Sequence, residues 1–335
     1  MNFSSLIDPL LAGESLPEDL AGEAVSAIME GVLSNEKIAA LLTAFHCKGE
    51  TVDEVVGAAK AMRAHALKVS TRRQGVLDTC GTGGDRSGTI NISTTAAFVI
   101  AAAGTPVAKH GNRSASSKCG SIDLLEALGI PVMLDPEQIG RSLDTVGIGI
   151  LFARVVHPAM KYAAPVRSEL GFRTIFNYLG PLTNPVLPAF QLVGVSNPGV
   201  QEMYAQSLQR LGTQKAWVVS GGGLDEITIT ESSRVYEVTP ERIDIFEITP
   251  ESVGLPRGEK AELVGGDAAE NAAITLAILQ GKLSGPQTDA ILLNAGAGLY
   301  ISGRAASLQD GVELAREQIR SGAAMHTLQA LRDFR

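Results

Sequence analysis

The spacing of apolar residues changes near residue 70, and this change constrains the fold more than any other feature of the chain. Before it, apolar residues recur at helical spacing and no strand candidate occurs. After it, short apolar strands alternate with helical segments, which is typical of a largely parallel sheet. The strands are expected at 76–79, 106–110, 147–152, 190–195 and 216–221, with an antiparallel or hairpin-like addition at 227–238. The sequence therefore predicts an α/β protein with a small all-helical N-terminal domain and a larger α/β domain, whose mainly parallel central sheet has flanking helices.

Three apolar stripes define the helices expected in the first domain. They are Leu20, Ala24, Ile28 and Val32, then Ile38, Leu41, Leu42 and Phe45, then Val55, Val56, Ala59 and Met62. Thr51 and Glu54 have the spacing of a capping box at the start of the third helix. The basic stretch KVSTRRQG at 68–75 breaks the pattern and predicts a linker. The domains are therefore expected at 1–70 and 71–335.

Composition excludes several classes of protein. The 335 residues are 45% hydrophobic, enough to fill two cores, and no run of about 18 apolar residues predicts a membrane span. The N-terminal stretch carries acids where a signal peptide carries bases, so a cytoplasmic location is expected. Cys47, Cys80 and Cys119 have no CxxC spacing, which favours reduced thiols over disulfides or a zinc site. A net charge of −8 argues against nonspecific nucleic-acid binding.

The glycine turn, DTCGTGGD at 78–85, joins the first expected strand to an Ala-rich helix for which Ser93 is an acceptable N-cap. Gly81, Gly83 and Gly84 can adopt positive φ and expose backbone N–H groups, and the following helix N-terminus favours an anion. The spacing matches neither the GxGxxG nor the GxxxxGK[ST] fingerprint. The turn is thus either a phosphate site or an ordinary glycine-rich connector.

Two further loops follow expected strands. The second loop, residues 109–121 (KHGNRSASSKCGS), combines bases, amides and serines ahead of an amphipathic helix, which indicates a second anion site. GGGLDEIT at 221–228 carries the acidic pair, Asp225 and Glu226, whose hard oxygens suit Mg²⁺ beside phosphate. Taken alone, the charges of either loop could be solvated surface residues. Their occurrence together favours a site for a substrate with two phosphate groups.

The wall segment, residues 157–185, is a long excursion between the third and fourth strands of the expected sheet. Because it has its own helical patterns, we expect it to pack against the N-terminal helices and form the second wall of a cleft above the sheet. Arg167 would then lie near the ligand and could bind an acid group. His157, Met160 and Tyr162 could line an apolar pocket or simply contribute to packing.

These segments resemble the anthranilate phosphoribosyltransferase family. DTCGTGGD, GTINIST at 88–94, KHGNRSASSKCGS, the wall segment and GGGLDEI occur in the family's order, and the likeness covers nearly the whole chain. The resemblance implies the fold of the pyrimidine nucleoside phosphorylases, a helical domain completed by part of 157–185, and a homodimer. It implies transfer of phosphoribosyl from phosphoribosyl pyrophosphate (PRPP) to the amine of anthranilate, as a step of tryptophan biosynthesis that needs Mg²⁺.

The resemblance also implies site residues. For PRPP they are Gly81, Gly84, Asp85, Thr89, Asn91, Ile92, Ser93, Thr94, Lys109, His110, Gly111, Asn112, Arg113, Ser114, Ala115, Ser116, Ser117 and Ser121. For anthranilate they are Gly81, Asn112 and Arg167, with His110, Tyr162 and Pro181 as neighbours, and for Mg²⁺ they are Ser93, Asp225 and Glu226. No general base is implied, because a neutral aromatic amine is already a nucleophile.

The chain departs from the family pattern at Cys119, Arg86 and Ile90 without losing an implied ligand, although a thiol at 119 is a weaker hydrogen-bond partner than serine. Two alternatives stay open. One is a nucleoside phosphorylase of the same fold, which would bind inorganic phosphate at the glycine turn. The other is a non-catalytic paralogue that binds nucleic acid, against which the acidic balance argues.

Overall fold

The helical domain begins the chain. In this computed structural model, which describes residues 2–85, 87–114 and 118–335, its helices are α1 (Phe3–Leu11), α2 (Glu18–Met29), α3 (Asn35–Lys48) and α4 (Val52–Ala64). The capping box of Thr51 and Glu54 is present at the start of α4. Helices α2 and α4 pack closely because Gly57 lies against α2, where an added Cβ would come within 2.0 Å of the Glu18 carbonyl oxygen.

A seven-stranded sheet forms the centre of the α/β domain. Its strands are β1 (Leu77–Gly81), β2 (Val107–Gly111), β3 (Ile148–Phe152), β4 (Phe190–Gly194), β5 (Lys215–Gly221), β6 (Ser233–Val238) and β7 (Ile243–Ile248). The spatial order is β3-β2-β1-β4-β5-β6-β7, with parallel pairing from β3 to β5 and antiparallel pairing from β5 to β7. The predicted mainly parallel sheet is therefore confirmed.

The remaining helices surround this sheet. They are α5 (Ile92–Ala102), α6 (Ser121–Ala127), α7 (Pro136–Thr145), α8 (Ala153–Val156), α9 (Ala164–Leu170), α10 (Phe176–Leu179), α11 (Gln201–Arg210), α12 (Ala268–Leu279), α13 (Pro286–Ile301), α14 (Leu308–Arg320) and α15 (Ala323–Arg332). Within the described ranges, no helix is long and apolar enough to cross a membrane.

Alternating side chains of the strands divide the interior into two main cores. Leu192 of β4 joins the core formed with α5 and α13, whereas its neighbour Val193 joins the core that also holds the helical domain. The wall segment contributes Phe176 and Leu179 to this second core. The core on this face of the sheet is therefore shared by the first four helices, the wall segment and α11, which contributes Tyr204 and Leu208.

Three local expectations were wrong. Val32 is 63% exposed, because α2 ends at Met29 and the chain has turned before it reaches residue 32. Ser93 is not the N-cap of α5, which already begins at Ile92 and has Asn91 at the cap position. The antiparallel addition expected at 227–238 is a hairpin of β6 and β7, which begins only at Ser233 and continues to Ile248.

Candidate active site

The loops singled out in the sequence meet at one edge of the sheet. In the parallel register Gly81 lies opposite Gly194, and Gly194 lies opposite Val219, so β1, β4 and β5 end side by side. The glycine turn, the second loop and the turn that carries the acidic pair follow β1, β2 and β5 at this edge. The carboxyl ends of parallel strands are where α/β sheets bind ligands.

The glycine turn is seated directly on the Asp225 carboxylate. The backbone N–H of Gly83 donates to Asp225 Oδ2 at 2.7 Å. A Cβ at Gly81 would come within 2.2 Å of the same oxygen, and a Cβ at Gly194 would come within 1.6 Å of the Asp225 carbonyl oxygen. These glycines are therefore needed for the close approach between the three strand ends.

The acidic pair is held in a partly buried position that penalises negative charge. Glu226 Oε1 accepts a hydrogen bond from the backbone N–H of Ser93 at 3.1 Å. Burial raises the pKa of Asp225, and the nearby Asp85 carboxylate raises it further. Burial and the neighbouring Asp225 likewise raise the pKa of Glu226. A divalent cation between such carboxylates would relieve both the repulsion and the desolvation cost.

The oxygen donors at this position fit Mg²⁺. Asp225 and Glu226 supply carboxylates and Ser93 supplies a hydroxyl, the hard ligands that Mg²⁺ prefers. Across the part of the chain that the structure describes, no group of three or more histidine, cysteine, aspartate or glutamate side chains could hold a metal ion.

Lys109 lies inside the protein and does not project from the second loop. Its side chain is buried, and Nζ donates to the Thr79 carbonyl oxygen at 2.5 Å and to Ser93 Oγ at 3.3 Å. Its positive charge also opposes the rise in the pKa of Glu226. Lys109 is thus an internal partner of the acidic pair, and any contribution to an anion site would come from this buried position.

Hydrogen bonds to backbone atoms shape the second loop. Ser121 Oγ donates to the Asn112 carbonyl oxygen at 3.1 Å, and the backbone N–H of Ser114 donates to Asp123 Oδ2 at 3.0 Å. The Arg113 guanidinium forms ion pairs with Asp123 at 3.3 Å and Glu126 at 2.7 Å. Ala115, Ser116 and Ser117, and also Arg86, lie outside the described residues.

At the start of α5, main-chain atoms are better placed than side chains to contact a ligand. Ile92 and Thr94 are buried, so their contribution to a ligand would come from main-chain atoms. The Asn91 amide group donates to the Cys119 carbonyl oxygen at 3.2 Å, and its Oδ1 accepts from Asn271 Nδ2 at 3.0 Å. The Thr89 hydroxyl lies 3.1 Å from Ser87 Oγ. The Cys119 thiol also donates to Asn91 Oδ1 at 3.4 Å, so this thiol contacts a predicted ligand.

The wall segment holds Arg167 among polar and aromatic neighbours. Its guanidinium lies over the Phe176 ring, 5.5 Å from the centroid, and Nη2 donates to Asn177 Oδ1 at 3.5 Å. Burial lowers the pKa of this guanidinium, although arginine remains charged in proteins. Tyr162 is 37% exposed and packs against Gly31 of the helical domain.

Three successive carbonyl oxygens of the wall segment each accept a side-chain hydrogen bond from a different element. His110 Nδ1 lies 2.9 Å from the Gly180 oxygen, Gln191 Nε2 donates to Pro181 at 2.7 Å, and Arg63 Nε donates to Leu182 at 2.7 Å. This carbonyl clamp, residues 180–182, thus connects β2, β4 and α4. Because a carbonyl can only accept, Nδ1 of His110 carries the proton and Nε2 is left as an acceptor.

Two histidines lie together beside the carbonyl clamp. The rings of His110 and His157 are 5.1 Å apart and edge-on, and both are buried. Burial lowers the pKa of His110, and burial together with His110 lowers the pKa of His157 to about 3. Both side chains are therefore neutral near pH 7, and the Nε2 atom of each is buried without a hydrogen-bond partner among the described residues.

Sequence reasoning missed two polar contributions to the site. The buried Asp78 carboxylate accepts from the His110 backbone N–H at 3.1 Å and from Asn184 Nδ2 at 2.9 Å, linking β1, β2 and the end of the wall segment. Arg173 Nη2 donates to the carbonyl oxygens of Gly83 and Gly84, each at 3.4 Å. The sequence places Asp78 in an expected strand and Arg173 among several bases of the wall segment. Neither residue therefore had a neighbouring motif that would indicate a role in the site.

Comparison with known proteins agrees with this geometry. Residues 73–325 match the α/β domain of a glycosyl transferase family, and residues 4–66 match the helical bundle domain of a glycosyl transferase family. The chain is 51% identical to an anthranilate phosphoribosyltransferase of Rubrobacter xylanophilus over 95% of this chain and 93% of that one. It is 52% identical to the Moorella thermoacetica protein of that name over 97% and 96% of the two chains.

Solved structures extend the likeness to the whole fold. The crystal structure of anthranilate phosphoribosyltransferase from Thermus thermophilus superimposes with a TM-score of 0.94 at 45% identity, covering 98% of each chain. The Saccharomyces cerevisiae enzyme in complex with PRPP and Mg superimposes with a TM-score of 0.91 at 27% identity, covering 99% of this chain and 97% of that one. The chain therefore belongs to the anthranilate phosphoribosyltransferase family.

Proposed function

We infer that this protein transfers the 5-phosphoribosyl group from PRPP to the amine of anthranilate, giving N-(5-phosphoribosyl)anthranilate and pyrophosphate in tryptophan biosynthesis. The observation that carries the inference is the convergence of the glycine turn, the second loop and the acidic pair at one sheet edge, in a chain about half identical to named family members. This arrangement offers N–H donors, bases and hard oxygen ligands to a single diphosphorylated sugar.

PRPP is proposed to lie between the glycine turn, the start of α5 and the second loop. Gly81, Gly84 and Asp85 would face it from the glycine turn, with Thr89 and residues 91–94 from the segment that leads into α5, and residues 109–117 and 121 from the second loop. The positive φ of Gly83 and Gly84 and the start of α5 support this placement, because α5 is an eleven-residue helix whose N-terminus favours anions. Lys109, from its buried position, would add positive charge without reaching into solvent.

Mg²⁺ is proposed to be held by Asp225, Glu226 and Ser93. When bound, the metal would neutralise charge that develops on the pyrophosphate oxygens. The protein's own contribution is to hold both carboxylates beneath the glycine turn, where the Gly83 and Ser93 N–H groups orient them.

Anthranilate is proposed to bind on the wall-segment side, with Arg167 facing its carboxylate and with Asn112 and the Gly81 backbone beside its amine. The charged guanidinium of Arg167, backed by Phe176, supports this role. His110, Pro181 and Tyr162 are proposed as neighbours, and the neutral His110 ring offers an acceptor at Nε2.

The reaction is a displacement at C1 of the ribose. The amine nitrogen forms the new C–N bond while the C1–O bond to pyrophosphate breaks, and the amine then loses a proton. Negative charge grows on the leaving group, so N–H donors fixed at the glycine turn stabilise it in the transition state. Positioning of the two substrates by opposite walls of the cleft supplies the remaining acceleration.

The remaining sequence expectations are part of the same proposal. We propose a domain boundary near residue 70, with part of 157–185 completing the helical domain, and the shared core of α1–α4 with Phe176 and Leu179 supports this division. The homodimer and the cytoplasmic location stay predictions.

The direct test is to mix the protein with anthranilate, PRPP and Mg²⁺ and to follow the loss of anthranilate fluorescence. We expect a loss that depends on both PRPP and Mg²⁺, with release of pyrophosphate in equal amount. A parallel reaction of a pyrimidine nucleoside with inorganic phosphate should give no free base. Unchanged fluorescence, or nucleoside cleavage in its place, would reject the proposed transferase activity.

A further inference from the structure

Arg173 reaches from the wall segment across to the glycine turn. It lies between α9 and α10, and its Nη2 donates to the carbonyl oxygens of Gly83 and Gly84 at 3.4 Å each. The side chain is nevertheless exposed. A single exposed arginine therefore contacts the wall proposed to bind anthranilate and the turn proposed to bind PRPP.

Gly84 of the glycine turn lies directly beside this guanidinium. Gly84 has a φ of +75°, in the region that favours glycine. A Cβ at this position would come within 2.5 Å of Arg173 Nη2. The backbone conformation therefore favours glycine here, and a larger residue would displace the end of the Arg173 side chain from its contact with the turn.

The negative charge around the glycine turn favours a cationic side chain beside it. Asp85, Asp225 and Glu226 are acidic, and PRPP is itself strongly anionic. Of the bases on the second loop, Lys109 is buried against Thr79 and Ser93, Arg113 is paired with Asp123 and Glu126, and Lys118 is exposed on the far side of residues 115–117 in the sequence. Arg173 is exposed and contacts the glycine turn itself, and among the described residues its hydrogen bonds come from one nitrogen of a group that carries five N–H donors.

We propose that Arg173 is a PRPP-binding residue, which holds the glycine turn through Nη2 and donates from its other N–H groups to the pyrophosphate of PRPP. This assignment rests on the proposed function. It makes the wall segment part of both substrate sites, with Arg167 serving the acceptor and Arg173 serving the donor. Bidentate donation to phosphate oxygens is the interaction for which a planar guanidinium is suited.

The test compares Arg173→Gln and Arg173→Lys with the parent protein by isothermal titration calorimetry in Mg²⁺. The probes are PRPP, pyrophosphate and ribose 5-phosphate. We expect Arg173→Gln to raise the Kd for PRPP and for pyrophosphate about tenfold, equivalent to about 1.4 kcal/mol, and to leave ribose 5-phosphate within about twofold. Arg173→Lys should recover part of the lost affinity, because lysine keeps the positive charge but not the planar group that donates two parallel hydrogen bonds.

Steady-state kinetics adds a second readout. The KM for PRPP should rise in Arg173→Gln, while the KM for anthranilate stays within about twofold of the parent value. Arg154→Gln, which removes another exposed arginine on α8, is the matched control and should change neither KM. Both variants should keep the parent unfolding temperature, since exposed substitutions change stability by roughly 0.5 kcal/mol or less.

The outcomes separate this assignment from the proposed function. Parent-like binding of PRPP by Arg173→Gln would overturn the assignment, and so would equal weakening of pyrophosphate and ribose 5-phosphate, which indicates a general distortion of the turn. If the parent binds PRPP but forms no product with anthranilate, the transferase proposal fails, while the calorimetric comparison still decides the role of Arg173.

Discussion

Replacing Gly194 by alanine tests whether the active site depends on close approach between strand ends. Gly194 ends β4, between β1 and β5, and an added Cβ would lie 1.6 Å from the Asp225 carbonyl oxygen and 2.3 Å from its carbonyl carbon. Comfortable contact between such atoms begins near about 3.5 Å. Because the obstacle is backbone, the turn that carries the acidic pair must move by about 2 Å.

The expected consequence is a large loss of activity with a smaller loss of stability. A displacement of about 1 Å in a catalytic group can cost about 100-fold in rate, so we expect kcat/KM for PRPP to fall by at least about 100-fold. Overpacking of this kind costs about 1–3 kcal/mol of unfolding free energy, which leaves a typical domain folded. The assays are loss of anthranilate fluorescence at saturating anthranilate and Mg²⁺, and urea unfolding followed by circular dichroism.

A nearby glycine provides the control. Gly199 follows the same strand, and a Cβ there would lie 3.2 Å from Asn197 Oδ1, a side-chain atom that can rotate away. Gly199→Ala should therefore retain kcat/KM within about threefold of the parent. If Gly194→Ala were as active as Gly199→Ala, the argument that strand-end packing positions the acidic pair would be refuted.

Three further predictions follow from the ionisable groups in and beside the site. Replacing Asp225 by Asn and Glu226 by Gln together should lower kcat about 100-fold or more and shift the Mg²⁺ titration, because the proposed metal ligands lose their charge; an unchanged titration would reject the metal assignment. Arg167→Ala should raise the KM for anthranilate more than the KM for PRPP, and equal increases would instead indicate a collapsed cleft. His157, whose pKa is lowered to about 3 by burial, is protonated in the unfolded chain below about pH 6.5 but not in the folded chain. As the pH is lowered from about 6.5 towards 4, this residue should therefore reduce the unfolding free energy by up to about 1.4 kcal/mol per pH unit. In His157→Gln the unfolding free energy should decrease less steeply over the same range. Urea midpoints across this range measure the difference, and parallel curves would contradict it.

The sequence predicted the sheet well because each parallel strand is a short apolar run followed by a glycine-containing or polar turn. The five parallel strands begin or end within about two residues of their expected positions. The exact start of α5 and the exposure of Val32 could not be predicted from the sequence. Helix ends depend on tertiary contacts, and the spacing of apolar residues carries no information about those contacts.

The chemistry of the site was predictable where residues are adjacent in the chain, and not where they meet through the fold. The acidic pair and the glycine turn were evident from local sequence. Asp78 lies 106 positions from Asn184, and Arg173 lies 90 positions from Gly83. The buried position of Lys109 likewise depends on where β1 and α5 place Thr79 and Ser93 around it.

The carbonyl clamp has a consequence for exchanging parts between relatives. Its acceptors are main-chain oxygens, which every residue type provides, whereas the donors Arg63, His110 and Gln191 are specific side chains on three elements. A chimera that takes residues 1–66 from one homologue and the remainder from another will keep this junction only if its helical domain supplies arginine at position 63. Chimeras designed to exchange substrate specificity should therefore take α4 and the carbonyl clamp from the same homologue.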